Sequence, residues 1–201
     1  MFNLTPAELK ILRPLTTPRK IQDFLETLKS YERKKDTCDS PHVVLRKKWA
    51  NCLDGALLAA LALRLRGLAP LLLDLSAAGQ DFDHVIAPFK IGKFWGALSK
   101  SNHAVLRYRD PIYKSIHELA LSYFHEYTDT RGRKTLRAYS NPVNLKIFDR
   151  QNWAASEKPI WFIEKHLYRI RHFSIVTKKQ IASLRPIDPV EKKSERLKVW
   201  S

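Results

Sequence analysis

One long apolar run dominates the hydrophobic pattern of the chain. Positions 56 to 63 are apolar without a polar break, which is typical of a helix covered on all sides rather than of a surface helix with one apolar stripe. Asn51 is a good N-cap for this helix, and Gly67 is a good stop after its last turn. The run is too short to span a membrane, which takes about 20 apolar residues. We therefore predict a buried central helix that begins at Cys52.

The residues before this helix predict three shorter helices. A hydroxyl residue followed by proline places an N-cap before the first helical position. This pair occurs at Thr5-Pro6, Thr17-Pro18 and Ser40-Pro41. Apolar residues at helical spacing extend the second helix to about Tyr31. Residues 32 to 40 are polar and predict a connection.

After the central helix, short apolar segments alternate with turn residues. Residues 71 to 75 predict one strand, the segment from His84 predicts a second, and the segment from Phe94 predicts a third. A turn through Ile91-Gly92 joins the last two strands into a hairpin. A helix followed by a strand and a hairpin indicates an α+β domain, in which an antiparallel sheet packs on the central buried helix.

The next segment predicts one helical region and one strand. Asp110-Pro111 is expected to open the helical region, because proline is favoured at the first helical position. A capping box at Ser115 continues this region to Tyr127. Residues 135 to 140 predict a strand at the edge of the sheet.

The C-terminal part of the chain predicts further helices. Residues 158 to 170 form a pattern typical of a helix whose aromatic side chains belong to the core. Ile181 and Leu184 predict a shorter helix. The charged tail from Pro189 onward is expected to pack loosely.

Length and composition favour one domain. A chain of 201 residues is long enough for one core and short for two. Its 44% hydrophobic and 28% charged residues are ordinary for a globular protein. We expect a single domain over residues 1–201. Its core is predicted at about 40–150, with helical additions at 1–39 and 151–201.

The charge is the unusual feature of the composition. Lys and Arg total 36 against 20 Asp and Glu, which gives a net charge of +16. Such a basic chain can bind nucleic acid, an anionic membrane or an acidic partner. It has no paired zinc ligands, no aromatic RNA-recognition signature and no G-x-x-G clamp. Nucleic acid is therefore a possible partner that no motif supports, and we expect no membrane partner.

Cysteine content predicts the compartment. Two cysteines are too few for a disulfide framework, and no apolar N-terminal segment resembles a signal peptide. We therefore expect a cytoplasmic protein. We also expect no cofactor and no metal, since His117 and His125 lie eight residues apart on one predicted helix, about 12 Å along its axis. The sequence sets no oligomeric state.

Cys52 is the first candidate for chemistry. The N-terminal end of a helix carries a partial positive charge and free N–H groups, which favour a thiolate over a thiol. The same N–H groups can hold an oxyanion. The alternative interpretation is that Cys52 is a small core residue, because free cysteine is among the most buried residue types.

A cysteine nucleophile needs a base within hydrogen-bond reach and a group that orients the base. His84 is the candidate base, although a lone histidine on a strand is more often structural. If the turn is centred on Ile91-Gly92, the hairpin register places Ser99 opposite His84, and Asn102 lies just beyond the strand end. Asp83 is expected on the opposite face of the strand. Ser99 or Asn102 is therefore the candidate orienting residue.

Three segments resemble one family: N-C-L-D-G-A-L-L-A-A-L-A-L-R-L-R-G-L-A-P, D-H-V-I-A-P-F and G-K-F-W-G-A-L-S. Together they are similar to the core of the transglutaminase-like cysteine proteins, which share the papain-like arrangement. The resemblance covers about residues 45 to 105 and is closest to a bacterial branch. It implies a transglutaminase-like core with Cys52 as nucleophile and His84 as general base and acid. Ser99 stands where the superfamily usually has aspartate.

The residues next to these positions are the candidate substrate-binding residues. They are Trp49 and Asn51 before the nucleophile and Trp95 before the orienting residue. For Trp95, packing in the core is the alternative interpretation.

Three functional hypotheses follow. The first is a cysteine-dependent amide hydrolase or acyltransferase, in which Cys52 attacks an amide carbonyl of a peptide or protein and a thioester forms. The second is an inactive protein of the same fold that binds a partner through its basic surface. The third is nucleic-acid binding by charge alone.

Overall fold

The structure is a computed structural model that describes residues 3–30, 37–79, 81–195 and 197–198. Three short helices precede the central one: α1 (Pro6–Leu12), α2 (Pro18–Glu26) and α3 (Pro41–Lys47). Each follows a hydroxyl residue whose side chain accepts a backbone N–H of the first turn. The three predicted helix starts are confirmed. Of the polar connection predicted at residues 32 to 40, residues 32 to 36 lie outside the described residues.

Helix α2 ends about one turn earlier than predicted, and Tyr31 lies outside the described residues. The Lys29 N–H donates to the carbonyl of Lys48 over 2.9 Å, and the Ala50 N–H donates to the carbonyl of Lys29 over 2.9 Å. The chain after α2 therefore pairs with the segment before the central helix. This tertiary pairing replaces the hydrogen bonds that a longer helix would make.

The central helix is α4 (Cys52–Arg64), and its prediction is confirmed. The Asn51 side chain accepts the N–H of Asp54 over 2.8 Å, and the Asp54 carboxylate accepts the N–H of Asn51 over 3.2 Å. This reciprocal pair is a capping box. Gly67 follows the last turn with φ of 80°, where glycine is favoured. Every residue from Leu53 to Leu63 is buried, as the unbroken apolar run predicts.

Among the described residues, seven strands form one antiparallel sheet. The strands are β1 (Leu71–Ala77), β2 (His84–Ile91), β3 (Phe94–Leu98), β4 (Arg109–Tyr113), β5 (Leu136–Ser140), β6 (Val143–Asn144) and β7 (His172–Ser174). Their order in the sheet is β4-β3-β2-β1-β5-β7, and β6 also pairs with β1. Helix α4 packs against β1 and β2. The predicted α+β class, with a central buried helix on an antiparallel sheet, is confirmed.

The predicted helix start at Asp110-Pro111 is wrong, because both residues belong to β4. Proline lacks the N–H that an inner strand needs, but an edge strand tolerates it. Strand β4 is such an edge. A Cβ at Gly96 of β3 would lie only 2.7 Å from the carbonyl oxygen of Arg109, so the glycine permits the close approach of β4.

The predicted edge position of residues 135 to 140 is also wrong. Strand β5 lies between β1 and β7, and its Tyr139 pairs with Leu75 on one side and Phe173 on the other. The short strand β7 has only three residues. Ser140 of β5 and its partner His172 are 32 positions apart in the sequence, so no local pattern predicts this strand.

The β2–β3 hairpin is shifted by two residues from the predicted register. Ala87 lies opposite Leu98 rather than Gly96. The turn is Gly92-Lys93, in which the glycine has φ of 58°. A shift of two positions leaves every side chain on its predicted face.

Four more helices complete the described structure: α5 (Ile116–Leu121), α6 (Trp161–Arg169), α7 (Lys178–Ser183) and α8 (Pro189–Glu195). Short 3-10 helices cover Phe124–Glu126 and Leu145–Gln151. The region predicted as helical to Tyr127 therefore contains α5 and a separate 3-10 turn. Within the described part of the chain, every helix is too short or too polar to cross a bilayer.

Apolar layers cover both faces of the sheet. Val85, Ala87 and Phe89 of β2 belong to the cluster that contains α4. Ile86 belongs to a second cluster, which also contains Leu119 of α5. This alternation explains why β2 is apolar at consecutive positions, because a strand with both faces buried needs no polar side.

An ionic cluster ties the N-terminal helices to the segment before α6. Nδ1 of His42 lies 2.6 Å from a Glu8 carboxylate oxygen, and Nε2 lies 2.8 Å from a Glu157 carboxylate oxygen. Burial by itself lowers the pKa of His42, but its bonds to the two carboxylates outweigh burial and raise the pKa. Bonds from Thr5 and His42 outweigh burial in the same way and lower the pKa of Glu8.

We predict that this cluster makes stability depend on pH. The raised pKa of His42 means that its contribution is complete below its ordinary value of 6.5 and is lost as the pH rises through the raised value. The contribution of Glu8, whose pKa is lowered, is lost instead as the pH falls below about 4.5. His42→Ala should therefore lower the free energy of unfolding by about 1 kcal/mol near pH 5.5, and by less near pH 9.

Urea denaturation at the two pH values measures this difference. His125→Ala is the matched control, because His125 is exposed and forms no ion pair with a described residue. An equal loss of stability at both pH values in His42→Ala would contradict the prediction.

Candidate functional site

A cavity of about 320 Å³ lies where the first turn of α4 meets the start of β2. Cys52 and His84 both line it, and so do Asn51 and Asn102. Cys52 is partly exposed to it, whereas Cys38, the second cysteine, is buried elsewhere. The candidate nucleophile and the candidate base thus face the same space.

A hydrogen-bonded chain behind the cavity fixes the His84 ring. Nε2 of His84 lies 2.7 Å from Oγ of Ser99, and that hydroxyl donates to the carbonyl oxygen of Leu106 over 2.7 Å. A serine hydroxyl has one hydrogen, so Ser99 Oγ accepts from His84 and Nε2 carries the ring proton. Nδ1 is then the basic nitrogen. It has no hydrogen-bond partner among the described residues, and it is not sealed from solvent-accessible space.

Ser99 is thus the residue that contacts His84. The prediction placed Ser99 directly opposite His84, whereas the observed register is shifted by two positions. Asn102 lines the cavity and makes no hydrogen bond to His84. Asn51 lines the cavity as well, but its amide donates to the carbonyl and the hydroxyl of Thr37. Its structural role as helix cap and link therefore stands beside its proposed role in substrate binding.

The two tryptophans proposed to bind substrate do not line the cavity. Trp49 pairs with Lys29, whose ammonium lies over its ring at 5.7 Å from the centroid. Trp95 lies near the turn end of the hairpin, opposite Lys90. The cavity is at the other end of β2 from Trp95, whereas Trp49 directly precedes two residues that line it, Ala50 and Asn51.

Helix α2 and α4 together hold the loop that carries Ser99. The Gln22 side chain accepts the N–H of Ser99 over 3.0 Å and donates to its carbonyl over 2.8 Å. The next residue, Lys100, packs over Gly55 so closely that a Cβ at Gly55 would lie 2.3 Å from its Cβ. The buried Lys100 ammonium donates to the carbonyl of Leu28 over 2.6 Å.

Electrostatics at Cys52 contradict the prediction of a stabilised thiolate. Burial raises the pKa of the Cys52 thiol to about 11, and the charges of Asp54 and Asp74 act in the same direction. The N–H groups of Val85 and Leu53 lower the pKa, as a helix N-terminus does, but burial outweighs them. The thiol is therefore protonated at neutral pH.

His84 is neutral as well. Burial lowers the pKa of His84 to about 4, and the positive charges of His103 and Arg109 add to this effect. The pair in the free protein is thus a thiol and a neutral imidazole. It is not the thiolate–imidazolium pair that a depressed cysteine pKa would indicate.

Asp54 fixes the start of α4. Its carboxylate accepts the Thr37 hydroxyl over 2.6 Å and the Asp39 N–H over 2.7 Å, in addition to the bond from Asn51. Burial raises the pKa of Asp54 to about 6 in spite of these bonds. The carboxylate thereby attaches the segment at 37–39 to the turn that carries Cys52.

Sequence reasoning missed several residues of the cavity wall. Asp74, at the middle of β1, is buried and its carboxylate lies 3.0 Å from Nε2 of His172. Asp81 and Asp83 lie just before His84 and line the same cavity. Asp83 was expected on the opposite face of the strand, but β2 begins only at His84. The D-F-D triplet next to the candidate base was a visible signal for the latter two, but the pairing of Asp74 with His172 joins residues 98 positions apart. Among the described residues, no three metal-ligating side chains are arranged to hold an ion.

We predict that Gly55→Ala displaces the loop that carries Ser99. The added Cβ would overlap Lys100 Cβ, so the free energy of unfolding should fall by about 1–3 kcal/mol, although alanine by itself favours a helix. In a Lys100→Gly background the nearest atom becomes the Cα of residue 100, 3.6 Å away. The cost of Gly55→Ala, measured by urea denaturation, should then be smaller. An equal cost in both backgrounds would show that this contact is not the cause.

We also predict the pH dependence of Cys52 alkylation by iodoacetamide. Because the pKa is about 11, the logarithm of the rate should rise with a slope of about one between roughly pH 6 and 9, without a plateau. His84→Ala should leave this slope unchanged, since the His84 ring is neutral over the same range. Buried Cys38 should stay unmodified in the folded protein. A rate that levels off below pH 9 would mean that the Cys52 pKa is well below 11, and it would contradict the prediction.

Comparisons with known proteins leave the family open. No known protein-family profile matches the chain, and no curated protein sequence matches it. The likeness to the transglutaminase-like superfamily therefore rests on the quoted motifs between about residues 45 and 105, and it stays a prediction.

Proposed function

We propose that the protein is a cysteine-dependent amide hydrolase or acyltransferase that acts on a peptide or protein amide. One observation carries the proposal: Cys52 and His84 line one cavity, while Ser99 holds Nε2 of the His84 ring. A nucleophile, a base and a group that orients the base are the parts that covalent amide chemistry needs.

The neutral state of the pair shapes the mechanism. His84 Nδ1 takes the thiol proton as Cys52 Sγ attacks the amide carbonyl, so the ion pair forms during the attack and not before it. The resulting imidazolium then protonates the leaving nitrogen, the C–N bond breaks, and a thioester remains. Water or a second amine attacks the thioester while its proton passes to His84, the C–S bond breaks, and the departing Cys52 Sγ takes that proton back from His84.

The oxyanion of each tetrahedral intermediate needs a donor. The N–H of Cys52 has no acceptor among the described residues, since it belongs to the first turn of α4. It is the donor that we assign to this role. The partial positive charge at the start of a 13-residue helix acts in the same direction.

Ser99 performs only part of what a carboxylate performs. Its hydroxyl fixes the tautomer and the orientation of His84, but it adds no negative charge to stabilise the imidazolium. This difference agrees with the lowered pKa of His84. We therefore regard Ser99 as a positioning residue.

The second candidate function is that of an inactive protein of this fold, which binds a partner such as nucleic acid through its basic surface. The observation that favours it is the protonated thiol at neutral pH beside a weakly basic histidine. The net charge of +16 supplies the attraction. Binding of this kind weakens steeply with added salt and does not depend on Cys52.

A peptide library with blocked amines, incubated with the full chain and with biotinylated pentylamine, tests the first candidate. Hydrolysis exposes new amino termini and transfer attaches the biotinylated amine, and mass spectrometry detects both. Cys52→Ala should abolish both products, and His84→Ala should slow them about 10²–10⁴-fold. Cys38→Ala is the matched control. Circular dichroism checks that this variant is folded, and the folded variant should retain activity.

Ser99→Ala should slow turnover about 10-fold to 100-fold, because it leaves the buried Nε2–H of His84 without an acceptor. Ser99→Thr keeps a hydroxyl that can accept from His84 Nε2, so its turnover should be faster than that of Ser99→Ala. Products that persist in Cys52→Ala would disprove the cysteine mechanism. Salt-sensitive nucleic-acid binding without any product or acyl-enzyme would favour the second candidate.

A further inference from the structure

Among the described residues, the wall of the Cys52 cavity has the opposite charge to the protein as a whole. Five carboxylates of this part of the chain line it, which is a quarter of the 20 acidic residues in a chain of net charge +16. They are Asp74, Asp81, Asp83, Glu126 and Glu164. Lys100 is the one lysine among the described lining residues, and it is buried and donates to the carbonyl of Leu28.

Two of these carboxylates have no cationic partner among the described residues. Asp81 accepts the Thr135 hydroxyl and the Phe82 N–H, and Asp83 accepts the Ala77 N–H over 2.8 Å. Neither forms an ion pair with a lysine, arginine or histidine in the described part of the chain. Asp74 and Glu126, in contrast, lie against His172 and Arg109.

The negative field reaches both sides of the cavity. Burial raises the pKa of Tyr127, and the negative charges of Asp81 and Asp83 add to it. Partial burial likewise raises the pKa of Tyr168 on α6, with contributions from Glu164 and Asp83. Tyr127 directly follows the 3-10 helix at Phe124–Glu126 and Tyr168 lies on α6, so the carboxylates act on residues of two separate segments.

Two aromatic side chains stand exposed on this same wall. Phe82 is 60% exposed and Tyr168 is 61% exposed. The position of Tyr168 differs from the predicted core helix with buried aromatics. An aromatic face beside carboxylates is a favourable site for an ammonium or guanidinium group.

His84 offers a hydrogen-bond acceptor beside these side chains. The residue is only 6% exposed, its Nε2 is bound to Ser99, and Nδ1 has no partner among the described residues. A group bound in the cavity would therefore meet the imidazole of His84, the Cys52 side chain, two exposed aromatic rings and, among the described lining residues, an excess of carboxylates.

We propose that the cavity selects a peptide segment with a basic side chain, arginine or lysine, next to the amide that Cys52 attacks. This inference rests on the proposed function for the attack itself, whereas the preference for a cation rests on Asp81, Asp83, Phe82 and Tyr168. The carboxylates hold the side-chain charge, and the two rings contact its aliphatic part and its cationic face.

The first test measures the charge preference at Cys52 without any turnover. Methanethiosulfonate reagents that carry a trimethylammonium or a sulfonate group form a disulfide with the thiolate and release methanesulfinate. Each rate with the full chain is divided by the rate of the same reagent with free cysteine. The cationic reagent should be favoured at least about 10-fold at low salt, and less at 0.5 M salt.

Variants assign this preference to the cavity. Asp81→Asn with Asp83→Asn should reduce the ratio several-fold, because asparagine keeps an accepting oxygen and loses the charge. Asp110→Asn is the matched control, since Asp110 is exposed on β4 and does not line the cavity. An equal ratio for both reagents, or an equal change in the control, would overturn the inference.

The second test identifies the source of the positive charge. The peptide amides Ac-Ala-Arg-Ala-NH2 and its citrulline analogue, which is neutral and nearly isosteric, compete with neutral methyl methanethiosulfonate for Cys52. The arginine peptide should protect Cys52 several-fold better, and Phe82→Ala or Tyr168→Ala should reduce that difference. Equal protection, or protection by cadaverine and not by the arginine peptide, would overturn the assignment to a substrate side chain.

These readouts separate the inference from the proposed function. A charge preference that persists while no amide product forms would leave the cationic site in place and remove the enzyme. Amide turnover that depends on Cys52 but shows no preference for arginine over citrulline would support the proposed enzyme and overturn the cationic site.

Discussion

The burial of α4 on all sides is the constraint on which the rest of the structure depends. Its apolar run needs cover around the whole circumference, because an exposed alanine and leucine surface would stay in contact with water. The sheet covers one side, and α2, α3 and α6 contribute to the cluster on the other. Helices α2, α3 and α6 are therefore part of the core that holds the site. Helix α2 also reaches the site directly, since its Gln22 binds the backbone of Ser99.

The same burial sets the chemistry at the end of the helix. The first turn of a buried helix must satisfy its polar groups inside the protein, which is what Asn51, Asp54 and Thr37 do for each other. Burial also disfavours charge. It raises the pKa of Cys52 and lowers that of His84, so the electrostatic environment outweighs the helix N-terminus. A proton transfer that accompanies the attack is the mechanism that such a neutral pair supports.

The carboxylates near Cys52 and in the cavity wall are a second electrostatic feature of the site. Burial and the charges of Asp54 and Asp74 oppose a thiolate at Cys52. The proposed cation site rests on two other carboxylates, Asp81 and Asp83, and a positive charge bound there would offset part of the negative field around the sulfur. The proposed selectivity and the proposed reaction would then be connected through the charge of the substrate.

The hairpin shows how far a local pattern carries a prediction of a site. Ser99 was predicted opposite His84 from a turn at Ile91-Gly92, and the real turn at Gly92-Lys93 moves the register by two positions. The side chains alternate with a period of two, so the error left Ser99 on the correct face. The contact between His84 and Ser99 survived a wrong register for this physical reason.

The sequence by itself determined the features that depend on neighbours in the chain. These are the Thr-Pro and Ser-Pro helix starts, the buried helix that begins at Cys52, the strand that begins at His84 and the α+β class, because capping and periodicity act over a few residues. Only the tertiary structure decided what depends on distant groups. The edge position of β4, the strand β7, the neutral state of Cys52 and His84, and the acidic wall around them all arise from packing and charge between segments far apart in the sequence. The free energy of a proton on Cys52 depends on atoms from β1, β2 and α4 together, and no local pattern records that sum.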